Sequence, residues 1–117
     1  MRAIRPAKRD ADRIFKRLPS DAKAVAIDQC RVLTMFPDKH PVVDGTLLDL
    51  AFEKVEGEIF YRLKIDDSLF QRRSLRVFFW PEKRTGTIWI LGLSWRPEAY
   101  TLHMKMRFRR RVNEIIG

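Results

Sequence analysis

Four basic side chains sit in or beside otherwise apolar runs: Arg62 and Lys64 within Tyr61-Arg62-Leu63-Lys64-Ile65, Arg76 within Leu75-Arg76-Val77-Phe78, and Arg96 directly after Trp95. In an extended segment, side chains alternate between faces, so Arg62 and Lys64 share one face, roughly 7 Å apart. A cation on a half-buried sheet is costly to desolvate unless an opposite charge meets it. Several gathered together make a site for an anion. The chemistry open to them is binding and polarisation of that anion, with Lys64 as a proton acceptor.

Other chemistries are pruned by what is missing. The chain holds no phosphate loop, no dinucleotide fingerprint and no HExxH. His40 and His103 lie 63 positions apart with no acidic or cysteine ligands spaced to help them, so no metal site is expected. The Asp/Glu-x-Lys spacing used by metal-dependent nucleases occurs only at Asp21-Ala22-Lys23, at a helix start. No cofactor is expected. A lone cysteine, Cys30, excludes an internal disulfide and fits the cytoplasm. No apolar run approaches the roughly 18 residues of a membrane span, and the first residues show no signal-peptide core.

Composition sets the scale and the partner. The 117 residues, 45% of them hydrophobic, suffice for one compact domain over 1–117 and exclude a multidomain enzyme. Lys and Arg number 24 against 15 acids, a net charge of +9. Residues 1–59 hold 11 basic and 10 acidic side chains, whereas residues 60–117 hold 13 and 5. The second half carries the charge, and nucleic acid is the partner such a field attracts.

The elements that must position these residues are legible from periodicity. A short strand over residues 2–6 is followed by a helix carrying Ala7, Ala11, Ile14, Phe15 and Leu18, ended by Pro19. Ser20 or Asp21 caps a second helix, with Val25, Ala26, Gln29, Leu33 and Phe36, which Pro37 stops. Pro37 to Thr46 reads as a surface loop, and Leu47 to Val55 as either a helical turn or a strand. From Glu58 the period is two, with Ile59, Tyr61, Leu63 and Ile65 on one face and Phe60, Arg62, Lys64 and Asp66 on the other. Leu75 to Trp80 reads as a central strand covered on both faces, and Thr87 to Trp95 as its partner across a Thr85-Gly86 turn.

Pro97 suits the first turn of a last helix whose stripe is Tyr100, Met104, Phe108 and Val112. Its other faces carry Lys105, Arg107, Arg109, Arg110 and Arg111, five like charges in seven residues that an anionic partner would relieve. These five, with Arg72 and Arg73, are the expected nucleic-acid contacts, made to phosphate without sequence readout. Trp80 and Trp89 are expected in the core, and Cys30 packed within the second helix. The expected fold is α+β: a twisted antiparallel sheet, made of a three-strand meander plus the N-terminal strand, with two N-terminal helices on one face and the C-terminal helix beside it.

In element order and in these residues together, the chain resembles the RelE/ParE toxin superfamily of bacterial toxin-antitoxin systems. The runs that carry the likeness are Tyr61-Arg62-Leu63-Lys64-Ile65, Leu75-Arg76-Val77-Phe78, Ile88-Trp89-Ile90-Leu91 and Arg96-Pro97-Glu98-Ala99-Tyr100, and it covers about residues 3–104. It implies a RelE-like fold and a metal-independent endoribonuclease, an mRNA interferase that cuts messenger RNA at the ribosome by 2′-hydroxyl attack on the adjacent phosphate. Carried over, Lys64 or Arg62 matches the general base, Arg76 and Arg96 the groups that neutralise the phosphorane, and Tyr100 the aromatic that orients the substrate.

Trp95 stands where many relatives carry a histidine, so the leaving-group acid is unassigned, with His103 a candidate. The implied partners are an acidic antitoxin, RNA and the ribosome, in a homodimer or a toxin-antitoxin hetero-oligomer. Two alternatives stay open: a ParE-like inhibitor of DNA gyrase, and a noncatalytic RNA-binding module.

Overall fold

The computed structural model describes residues 2–7, 13–36, 42–43, 46–47, 52–55, 59–66, 70, 74–96 and 101–117. Its strands are β1 (Ile4–Pro6), β2 (Val42–Val43), β3 (Thr46–Leu47), β4 (Phe52–Lys54), β5 (Tyr61–Asp66), β6 (Ser74–Pro81) and β7 (Ile88–Arg96). Its helices are α1 (Arg13–Arg17), α2 (Ser20–Cys30), which continues as a 3-10 helix over Arg31–Met35, and α3 (Leu102–Ile116). The seven strands form one sheet in the order β1-β7-β6-β5-β4-β3-β2. The class is α+β, as the periodicity predicts.

The centre is the meander β5-β6-β7, antiparallel throughout. In β5 the alternation is complete: Tyr61, Leu63 and Ile65 are buried, while Arg62 is half-buried and Lys64 and Asp66 are exposed. They meet Leu75, Val77 and Phe79 of β6 in a core that also takes Leu18, Ala22, Ala26, Leu33 and Phe36 from the helical segment. Phe36 sets its ring edge-on against Tyr61 and Phe79, with centroids 5.1 and 5.3 Å apart. Burying each such large side chain stabilises the fold by about 1.5–3 kcal/mol.

A second, smaller core lies on the other face, where Phe60, Phe78, Leu91 and Val55 meet Phe108 and Val112 of α3. That is why β6 is almost wholly apolar: Leu75, Val77 and Phe79 serve one core and Phe78 the other. A β-bulge where β7 passes Phe78 and Phe79 leaves Leu91 as the extra residue between Ile90 and Gly92. Strict alternation would send Leu91 to the face opposite Gly92; the bulge lets both address α3.

Several expectations are corrected. The sheet is mixed, because β1 runs parallel to β7, Ile4 opposite Ile88 and Pro6 opposite Ile90. The C-terminal helix lies over the sheet face opposite α2, since its Met104-Phe108-Val112 stripe needs an apolar floor and β6 offers one there. Ala7 belongs to the second core and donates its N–H to Ile90 O at 2.8 Å, prolonging β1 instead of starting a helix. Ile59 is 50% exposed and precedes β5, whose regular pairing begins at Tyr61.

Of the 47–55 stretch, Leu47 and Phe52–Lys54 are strand, and β2 with the start of β3 falls within the span expected as loop. Neither Ser20 nor Asp21 fills the N-cap position of α2; Pro19 does, and Asp21 Oδ1 accepts the adjacent Ala22 N–H at 2.8 Å. Thr101 caps α3 by accepting Met104 N–H at 3.2 Å. No helix among the described residues is long and apolar enough to cross a membrane.

Candidate anion-binding face

Strand register decides which cations meet. Lys64 of β5 stands opposite Arg76 of β6, and Arg76 stands opposite Ser94 of β7, so the three form one row across the meander. The next row is Arg62, Phe78 and Gly92; the one beyond Arg76 on the other side is Asp66, Ser74 and Arg96. These rows belong to the sheet face that α3 partly covers. Of the expected catalytic set, Arg62, Lys64 and Arg76 therefore share a face. Arg96 holds the register position opposite Ser74, and Tyr100 lies outside the described residues.

Arg76 is only 8% exposed, an unusual state for a guanidinium. Its Nη1 donates to the hydroxyl of Ser74, whose own O–H reaches Ile65 O at 3.5 Å. Ser94, 6% exposed, stands beside it on the neighbouring strand. Two serines thus frame Arg76, one by hydrogen bond and one by register. A guanidinium is a planar fork of donors suited to phosphate oxygens, and here one arm of that fork is fixed by the Ser74 hydroxyl. Sequence reasoning missed both serines: Ser74 shares the face of Arg76 by alternation along β6, and Ser94 comes beside it only through pairing.

Acids also enter the neighbourhood. Asp66 is two residues from Lys64 along β5, and Glu53 stands opposite Arg62 in the β4-β5 register. Asp66 is plain from the sequence of β5, whereas Glu53 comes beside Arg62 in register only through the pairing of β4. Among the described residues, no group of His, Cys, Asp and Glu is arranged to hold a metal ion.

The basic helix divides. Arg109 and Arg110 are exposed on the outer face of α3, and Lys105 and Arg107 are half-buried at its flanks. Arg107 sets its guanidinium carbon 5.6 Å from the Phe108 ring centroid, while its Nε is buried with no hydrogen-bond partner among the described residues. Arg111 corrects the expectation of an outward cation: its Nη1 donates to the carbonyl of Leu91, the bulge residue. It is a tie between helix and sheet. His103 is exposed, and Arg72 and Arg73 lie outside the described residues.

At the far end of β6 and β7 a different constellation appears. Glu82, 6% exposed, accepts from Thr85 Oγ1 at 2.7 Å and from the Trp89 indole N–H at 3.1 Å, with Arg84 Nη2 at 3.5 Å. The Thr85 and Trp89 hydrogen bonds to the charged form hold its carboxyl below the ordinary value, against the cost of burial. Trp89 is therefore a half-exposed residue near the start of β7 and belongs to neither core, contrary to expectation. Trp80 packs against the second core and Trp95 against the first, edge-on to Phe70 with centroids 5.5 Å apart. Cys30 packs against the first core as expected, and burial pushes its thiol up to about 11.

Compared with known proteins, the chain matches no family model and no curated protein.

Proposed function

We propose that this protein is a RelE-like, metal-independent endoribonuclease, the toxin of a toxin-antitoxin pair, cutting messenger RNA in the cytoplasm. The observation that carries the reading is the row Lys64-Arg76-Ser94 with its buried, serine-held guanidinium. In the reaction the ribose 2′-oxygen bonds to the adjacent phosphorus and the bond from phosphorus to the 5′-oxygen breaks. A 2′,3′-cyclic phosphate and a 5′-hydroxyl result.

Lys64 takes the 2′-hydroxyl proton, with Arg62 beside it, and Arg76 neutralises charge as it builds on the non-bridging oxygens. By the family likeness, Arg96 joins Arg76 in that task and Tyr100 orients the substrate. The departing 5′-oxygen takes up a proton from water to give the 5′-hydroxyl. An acidic antitoxin is the partner that a +9 chain favours in the cell.

One observation favours a noncatalytic nucleic-acid-binding module instead. Phe108 of α3 packs on Phe78, two residues from Arg76 on the same face, with centroids 5.0 Å apart, narrowing the room for a substrate. Arg76→Ala separates the readings. The enzyme loses about 10²–10³-fold in cleavage, as when a transition-state donor is removed, while RNA binding changes little. Intact transcripts on induced expression of the unaltered protein, mapped at their ends, would remove the nuclease reading. Supercoiling inhibition with intact transcripts would mark a gyrase inhibitor.

A further inference from the structure

We infer that the cleft at the β6-β7 turn is a binding site for a nucleotide, separate from the cation row. The cleft, about 370 Å³, is lined by Arg5 of β1, Glu82, Arg84, Thr85, Thr87, Trp89 and Ile115 of α3. That volume suits a mononucleotide. The lining combines two guanidinium groups, two hydroxyls, one indole and an aliphatic wall, the set that takes an anionic group attached to a flat ring.

The site is built, not merely charged. The turn is closed by Glu82 N–H to Thr87 O and Gly86 N–H to Glu82 O, both 2.9 Å, with Gly86 at φ +76°, a conformation side chains disfavour. Arg2 reaches in from the N-terminus to bond Gly86 O at 3.0 Å. Glu82 fixes the indole of Trp89 by its N–H, and β1-β7 pairing sets Arg5 directly opposite Trp89. The Trp89 indole is thus fixed before any ligand arrives, with Arg5 at the register position beside it. Arg5 and Arg84 outnumber the single buried carboxylate, so the cleft favours an anion. The phosphate goes to the two arginines and the base to the indole.

Glu82 of the cleft follows β6 directly, six residues on from Arg76 and roughly 20 Å away at strand rise. The exposed cations of α3 lie on the same side of the sheet. The ligand is therefore either a free nucleoside monophosphate or one unit of a single strand, and the inference does not rest on the cleavage reaction. The experiment is a titration of the whole protein with adenosine 5′-monophosphate, inorganic phosphate and a short single-stranded RNA, followed by the Trp89 indole N–H resonance. Saturable movement with the monophosphate, at least tenfold tighter than with phosphate, is expected.

Arg5→Ala with Arg84→Ala should weaken that binding about tenfold or more while circular dichroism stays unchanged, and Arg76→Ala should not alter it. Tighter binding of the oligonucleotide, lost in the same double variant, assigns the site to a strand; equal per-nucleotide affinity assigns it to the free nucleotide. No movement of the resonance, or equal response to phosphate alone, overturns the inference. So does a double variant that binds as the parent does.

Discussion

Phe108 Cε1 lies 2.7 Å from where a Cβ on Gly92 would stand. The approach of α3 to the sheet is therefore set by the absence of a side chain at one position of β7. Phe108 is wholly buried and braced edge-on by Phe60, centroids 6.1 Å apart, so its ring has no open space to move into. Gly92→Ala should cost about 1–3 kcal/mol as overpacking, read as a lower urea midpoint at unchanged m-value. A variant as stable as the parent would show that α3 is loosely seated.

Arg111 and its two neighbours should respond oppositely. Arg111→Ala removes the donor to the bulge carbonyl and should destabilise by about 1–2 kcal/mol. Exchanging both Arg109 and Arg110 for Ala, exposed as they are, should leave stability within about 0.5 kcal/mol. If they touch phosphate, the same double exchange lowers the salt slope of single-stranded RNA binding by about 0.7 per contact. An unchanged slope would exclude them from the nucleic-acid surface.

Glu82 makes stability depend on acid. Its folded-state pKa is lowered, so its contribution is present above the ordinary glutamate value and is lost as pH falls through the folded value. Denaturant midpoints compared between pH 7 and pH 3 should fall more for the parent than for Glu82→Gln. Parallel pH profiles for the two proteins would show that the Thr85 and Trp89 hydrogen bonds do not select the charged form.

Local pattern was enough for the meander and for most of what lies on each face. Tyr61, Leu63 and Ile65 declared a buried face by period two, and the apolar run of β6, interrupted only by Arg76 between Leu75 and Trp80, declared a strand covered on both sides. The stripe Met104-Phe108-Val112 likewise announced a helix with one face to bury. In each case the information is a repeat that a few neighbouring residues carry by themselves.

What pairing and packing decided was of another kind. Arg76 could be singled out in the sequence, yet its neighbours Ser94 and Lys64 come from other strands, and only register brings them to it. The parallel placement of β1, the choice of sheet face for α3 and the inward turn of Arg111 depend on surfaces that exist only once the sheet has formed. Alternation along a strand is local geometry, whereas register and layer order are settled by burying two apolar faces at once. The types of the cations belong to the chain; their company belongs to the fold.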